Sequence, residues 1–303
     1  MRLVPLIHML LALVFAPLSF GIINRTKALF AGRRGEPLLQ TYYDLWKLLR
    51  KGAVYSRTTT WVFRAGPIIG LAAVVMAITL VPFGNAPALV AFPGDLVLFA
   101  YLLGLMRFFT VIAALDTGSS FEGMGASREV QLSALAEPAL FLGLAATARR
   151  IGSISLSGIF EKISPDTWQT AGLALALVAA ALFVVLLCEN ARIPVDDPNT
   201  HLELTMIHEV MVLDHGGPDL AFILYGASLK LWTLGALLIG IVVPIHSGNG
   251  WLDAAAFLGG MLALAVVVGI VESTMARLRL VRVPQLLAGA GVFAALALIL
   301  VLR

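Results

Sequence analysis

The sequence predicts an all-α polytopic membrane protein, and three observations carry that prediction. Its apolar residues gather in blocks of about twenty, the length of helix that crosses a hydrocarbon core roughly 30 Å thick. Of the 303 residues, 13% are charged and 59% are hydrophobic, where soluble domains have about 25% and 45–50%. Mean hydropathy is +0.93. The alternating ten-residue strands of a β-barrel are not seen.

Eight transmembrane helices are expected, at about 3–23, 66–84, 93–115, 131–149, 169–189, 220–245, 253–272 and 283–302, forming a single transmembrane domain over 1–303. The first block could pass for a signal peptide. It is long, weakly charged at its start and lacks a convincing small-x-small cleavage site, so it is read as helix one. Between spans one and two, residues 37–51 are too short and polar to cross. Leu38, Tyr42, Leu45, Leu48 and Leu49 share one side there, with Tyr43, Trp46 and basic residues around them. That pattern predicts an interfacial amphipathic helix, either a generic anchor or a docking strip for a peripheral partner. No period of 20–50 residues repeats.

An even number of spans puts both termini on one side. Fourteen lysines and arginines flank the spans on one face, nine of them between Arg25 and Arg64, against five on the other. The positive-inside rule then places the termini on the non-cytoplasmic side of the cell inner membrane and the loop after span five in the cytoplasm. The net charge of +3 is read as these juxtamembrane flanks and not as a nucleic-acid surface. Cys188 is the one cysteine, which excludes an internal disulfide and an iron–sulfur cluster held by this chain alone.

Three charges fall inside spans: Arg107 in span three, Glu137 followed by Pro138 in span four, and Lys230 in span six. A lone charge at mid-bilayer depth costs at least about 2.5–3.5 kcal/mol. They are therefore expected to face the bundle interior, with Glu137 paired to Arg107 or Lys230. Pro138 frees backbone carbonyls that can hold water, so Glu137 reads either as a structural ion pair or as a proton relay.

The 31 residues from Glu189 to Asp219 hold seven carboxylates, three histidines and one arginine. Asp197-Pro198 looks like a cap and first helical position, Thr200-x-x-Glu203 like a capping box, and Gly216, Gly217 and Pro218 like a stop. A helix over 198–215 is the expectation. At 100° per residue it would put His201, Thr205, His208, Glu209 and His215 on a polar side. Glu203 and Asp214 would lie among Leu202, Met206, Ile207, Val210 and Leu213. Desolvation on that apolar side raises a carboxylate pKa, which suits a group that exchanges protons; alternatively Glu203 only caps the helix.

The three histidines recur every seven residues, about 10 Å apart on a helix, too far to share one ion. His208-Glu209 starts an HExxH pattern, but Val212 stands where the second histidine is needed. Asp196-Asp197 resembles the aspartates of membrane prenyl-phosphate transferases, yet only Arg192 is near to hold pyrophosphate. No metal site in this chain is expected. A stand-alone ion or proton-coupled carrier would need an internal repeat or broken helices in matching halves, and neither is seen.

Three strings, Gly35–Lys51, Leu115–Glu129 and Ile193–His215, closely resemble the membrane-anchor subunit of group 4 energy-converting [NiFe]-hydrogenases, of the formate hydrogenlyase type. That family is homologous to the membrane subunit that forms the quinone chamber of NADH:quinone oxidoreductase (complex I). The resemblance covers essentially the whole chain. It implies a non-catalytic subunit that docks a hydrophilic [NiFe]-hydrogenase module (large and small subunits and a ferredoxin-like iron–sulfur subunit) and joins it to antiporter-like proton- or sodium-pumping membrane subunits. The [NiFe] centre and iron–sulfur clusters would belong to those partners, with no cofactor in this chain. The junction would be formed by Glu137, Glu189, Asp196, Asp197, Glu203, Glu209 and Asp214 with Arg107 and Lys230. Arg128, Arg192, His201, His208 and His215 would meet the docked module. The loop reads Val195-Asp-Asp-Pro-Asn-Thr-His-Leu-Glu203 in place of a glutamate-glycine-glutamate pattern, a departure that favours the hydrogenase branch over the alternative, a quinone-binding subunit.

Overall fold

The computed structural model describes residues 3–83, 86–196, 206–244 and 247–303. Ten α-helices are described: α1 Leu3–Phe30, α2 Gln40–Leu49, α3 Trp61–Leu80, α4 Asp95–Asp116, α5 Ser120–Ile151, α6 Leu156–Lys162, α7 Pro165–Glu189, α8 Gly217–Val242, α9 Gly250–Thr274 and α10 Val283–Leu302. Eight of them are long and apolar enough to cross a membrane, and α2 lies over the expected interfacial helix. No strand is found among the described residues.

Several helices outrun their greasy stretch. α1 continues to Phe30 because Asn24–Phe30 contains no breaker; Gly32, at φ +62°, ends it. α5 begins at Ser120, well before the expected 131. Gly123 and Gly125 lower the helix propensity of this stretch, and its contacts with residues 206–215 at Glu122, Gly125 and Arg128 support it. Apolar length marks what the bilayer requires, not where hydrogen bonding stops.

α8 forms the centre, packing against α1, α2, α3, α7 and α9, with Trp232 buried in its middle. α3 lies along α4, and α10 lies across α5 and α7. Close approaches fix the register. A Cβ on Gly240 would lie 1.6 Å from the Phe160 ring, so α6 packs directly on α8. The Trp168 indole N–H, in the first turns of α7, donates to the Ile241 carbonyl at 2.9 Å. Pro17 has no N–H to offer Leu13, four residues back in α1. The Tyr225 hydroxyl of α8 donates to that carbonyl at 2.8 Å, and the Tyr42 hydroxyl of α2 donates to the Val14 carbonyl. Two adjacent carbonyls of α1 thus tie it to α8 and α2, the first of them freed by Pro17.

Asp95 opens α4 and is fully buried. Its carboxylate accepts from the Ser155 hydroxyl and the Leu156 amide, both at 2.7 Å, tying α4 to the start of α6. Asp95→Ala would strand two buried donors at about 1–3 kcal/mol each. Thermal unfolding in detergent is expected to show a clear fall in midpoint, with the exposed Glu161→Ala unchanged.

Candidate functional site

The centre of the site is Arg107, on α4, whose side chain is 9% exposed. Its Nη1 binds Glu137 of α5 and its Nη2 binds Glu189 at the end of α7. Its Nε lies 3.2 Å from Glu129 of α5, close enough for ionic attraction but without hydrogen-bond alignment. Lys230 of α8 adds a second cation 3.6 Å from Glu189, and His208 stands 3.1 Å from the other oxygen of Glu129. A guanidinium suits this position because its planar fork presents several donors at once. Three carboxylates thus meet two permanent cations. The cluster is acid-rich, one positive charge short of balance, and His208 is the further basic group beside it.

The cluster runs from the 189–219 segment to the outside of the bundle. At one end Glu189, Glu129 and Lys230 are enclosed. At the other, the Glu137 side chain is 46% exposed midway along α5.

A second group of ionic contacts holds the segment against the helices. Asp196 is buried, pairs with Arg277 at 2.8 Å and accepts the amides of Ile207 at 3.0 Å and His208 at 3.4 Å. Arg192 pairs with Glu272 of α9 at 3.2 Å, and Lys27 of α1 reaches the same carboxylate at 2.8 Å. Arg128 donates to the Met206 carbonyl at 2.8 Å, and Glu122 accepts the Asp214 amide at 3.1 Å. Gly125 lets the chain lie flat on α5: a Cβ there would meet Val210 at 2.3 Å. These contacts present His208 to Glu129.

The structure brings together Arg107, Glu137, Glu189 and Lys230, and Glu137 and Arg107 pair as the sequence predicts. Asp197, His201 and Glu203 lie outside the described residues. The helix expected over 198–215 is not found in its described part: residues 206–215 are irregular, with one 3-10 turn at Glu209–Val212. Amides that a helix would use internally are taken by Asp196 and Glu122. The expected division of faces therefore fails. Asp214 is exposed, not lodged among apolar side chains. His215 is buried and stacked on Phe63, with ring centroids 3.9 Å apart and planes 6° apart. Arg192, expected to meet a docked module, is buried beneath the segment, its guanidinium 4.5 Å over the Phe20 ring. Glu209 is half-buried in the 3-10 turn.

Sequence reasoning missed Glu129, Glu122, Glu272, Lys27 and Arg277. The signal for Glu129 was available. Glu122, Glu129 and Glu137 are spaced by seven and eight residues, which keeps them near one side of a helix; starting the helix at 131 hid it. Among the described residues no group of three histidine, cysteine or carboxylate side chains is placed to hold a metal ion.

This arrangement sits in a chain that matches the NADH dehydrogenase family over residues 3–303. The chain belongs to that family. It is 34% identical to formate hydrogenlyase subunit 4 of Escherichia coli (strain K12), with 97% of each chain covered. It is 30% identical to hydrogenase-4 component C of the same organism over 88% of this chain and 84% of that one. It is 25% identical to a subunit of NADH-quinone oxidoreductase from Anaplasma phagocytophilum (strain HZ), covering 71% and 64%. The fold matches a chain in the structure of the membrane-bound sulfane sulfur reductase, an archaeal respiratory membrane complex, with TM-score 0.85, 22% identity and 98% of each chain covered. The protein is a multi-pass membrane member of this family, similar along nearly its whole length to a formate hydrogenlyase subunit.

Two outcomes follow from the geometry. Arg107→Met would leave Glu129 and Glu189 buried with their main cation removed, a change that typically costs about 3–5 kcal/mol. Loss of yield and of thermal midpoint is expected, with partial recovery in the Arg107→Met/Glu189→Gln double variant. His215 is the other. Burial lowers its pKa from the ordinary 6.5, outweighing the opposite pull of Asp219 and Asp214. The unfolded chain therefore binds the proton first, so the stability this imidazole contributes is present above about pH 6.5 and is lost as pH falls through the lowered folded-state value. Melting curves against pH should be flatter in this range for His215→Phe than for the wild type.

Proposed function

We propose that the chain is the membrane subunit of a respiratory-type redox complex that couples electron transfer in a docked hydrophilic module to proton or sodium translocation by neighbouring membrane subunits. The observation that carries this reading is the continuous set of ionisable groups from His208 through Glu129, Arg107 and Glu189 to Glu137. It starts in the pinned 206–215 segment, is one positive charge short of balance, and ends on a half-exposed carboxylate of a helix long enough to cross the bilayer. A carboxylate in that position is costly against lipid and is served by a neighbouring protein.

On this reading the hydrogenase-like module, with its [NiFe] and iron–sulfur centres, sits on the cytoplasmic face over the 189–219 segment, and both termini lie on the opposite side of the inner membrane. Similarity to the two Escherichia coli proteins supports the hydrogenase-type partner. A redox change in that module alters the field at His208 and Glu129. A proton taken up by the cluster then shifts within it, and the change is felt at Glu137 by an adjoining pumping subunit. Asp196, Arg192 and Arg128 act by holding the described parts of the segment in place; Asp197, His201 and Glu203 lie outside the described residues and enter this reading through the resemblance alone.

The quinone reading finds less support among the described residues. The pocket beside His215 is lined mostly by apolar groups such as Gly66, Pro67, Gly70 and Met106, and its Thr110 hydroxyl already donates to the Met106 carbonyl at 3.0 Å. Among the described lining residues the His215 imidazole is the one ring donor that could meet a quinone oxygen.

In the assembled complex reconstituted into vesicles, Glu129→Gln and Glu137→Gln are each expected to reduce ion translocation per electron at least several-fold while assembly survives. Translocation equal to wild type in both variants would contradict the proposal.

A further inference from the structure

We propose that the corner formed by the end of α1 and by α2 is a binding surface for anionic phospholipid. It goes beyond the coupling role and does not depend on it. α2 has no buried residue. One side, carrying Tyr42, Leu45 and Leu48, is half-buried where the helix meets α1 and α8. The other presents Leu39, Tyr43 and Trp46, exposed by 48%, 59% and 59%. These lie at i, i+4 and i+7, so they make one stripe. The Arg50 guanidinium closes it, 4.5 Å over the Trp46 ring.

The charge around the stripe selects the occupant. Residues 25–64 carry nine basic side chains against Glu36 and Asp44, so this segment holds +7 in a chain whose net charge is +3. Lys27 is engaged with Glu272; the other eight basic side chains are exposed. The turn after α1 concentrates them. The Arg33 amide donates to the Ala28 carbonyl at 2.9 Å, and Arg25 donates to the Gly35 carbonyl at 3.4 Å, which folds Arg33 and Arg34 back beside Arg25. A stripe of aromatic and aliphatic side chains closed by the Arg50 guanidinium, within a segment of net charge +7, matches acyl chains on one side and phosphate on the other. A purely zwitterionic membrane would leave that charge without a counterpart, and a soluble partner would leave the stripe in water around its edges.

Contact quenching of Trp46 tests this. The full chain, and the complex assembled with it, are placed in vesicles containing brominated phosphatidylglycerol or brominated phosphatidylcholine. The Trp46 signal is the difference between wild type and Trp46→Phe. Phosphatidylglycerol is expected to quench Trp46 with a several-fold higher apparent affinity. That preference should shrink as salt screens the charges, and approach parity in the Arg33→Gln/Arg34→Gln/Arg50→Gln variant. Equal quenching by the two lipids, or a preference insensitive to both salt and the triple variant, would overturn the proposal. So would a Trp46 that neither lipid reaches in the assembled complex, which would assign this face to a protein. If the triple variant fails to fold, the salt series on the wild type decides.

Discussion

Arg107 is the constraint on which the site depends. Its guanidinium joins α4 to α5 and α7 through three carboxylates, two of which, Glu129 and Glu189, are buried too deeply to be carried as isolated ions. Lysine would place its three donors on one compact, rotatable nitrogen, whereas the guanidinium spreads its donors over a rigid planar fork wide enough to reach carboxylates on two different helices. With arginine there, Glu129 and Glu189 can remain buried between helices. Without it the helices would close on uncompensated charge.

The ionic groups divide by balance. Asp196 with Arg277, and Glu272 with Arg192 and Lys27, are matched or cation-rich and hold residues 190–196 beside α9 and α1. The Arg107 cluster is acid-rich and, among the described residues, meets the 206–215 stretch at His208. On the proposed function, a change in field at His208 reaches an acid-rich cluster whose far end is the half-exposed Glu137.

Much of the fold was legible in the sequence. The eight apolar blocks became eight helices because bilayer thickness demands that length, and the amphipathic pattern around Tyr42 and Trp46 marked α2. The pairing of Arg107 with Glu137 was legible for the same reason: charges in greasy surroundings seek each other. What could not be read was tertiary. The periodicity of 198–215 fits a helix, yet in the described part Asp196 and Glu122, distant in sequence, compete for its amides and Gly125 makes room for an irregular path. His215 is polar by type but buried by its stack on Phe63, and Arg192 is drawn inward by Glu272, 80 residues away. Glu129 was lost to an assumption about where a helix starts, since polar residues extend α5 without interrupting it.

The central claim is that the Arg107 cluster holds an exchangeable proton that answers to the redox state of a docked module. Infrared difference spectroscopy on the assembled complex, oxidised against reduced, addresses it most directly. The account predicts a change in protonated-carboxyl or imidazole bands that is lost or displaced in Glu129→Gln. A redox difference spectrum in which those bands are identical in wild type and Glu129→Gln would contradict it.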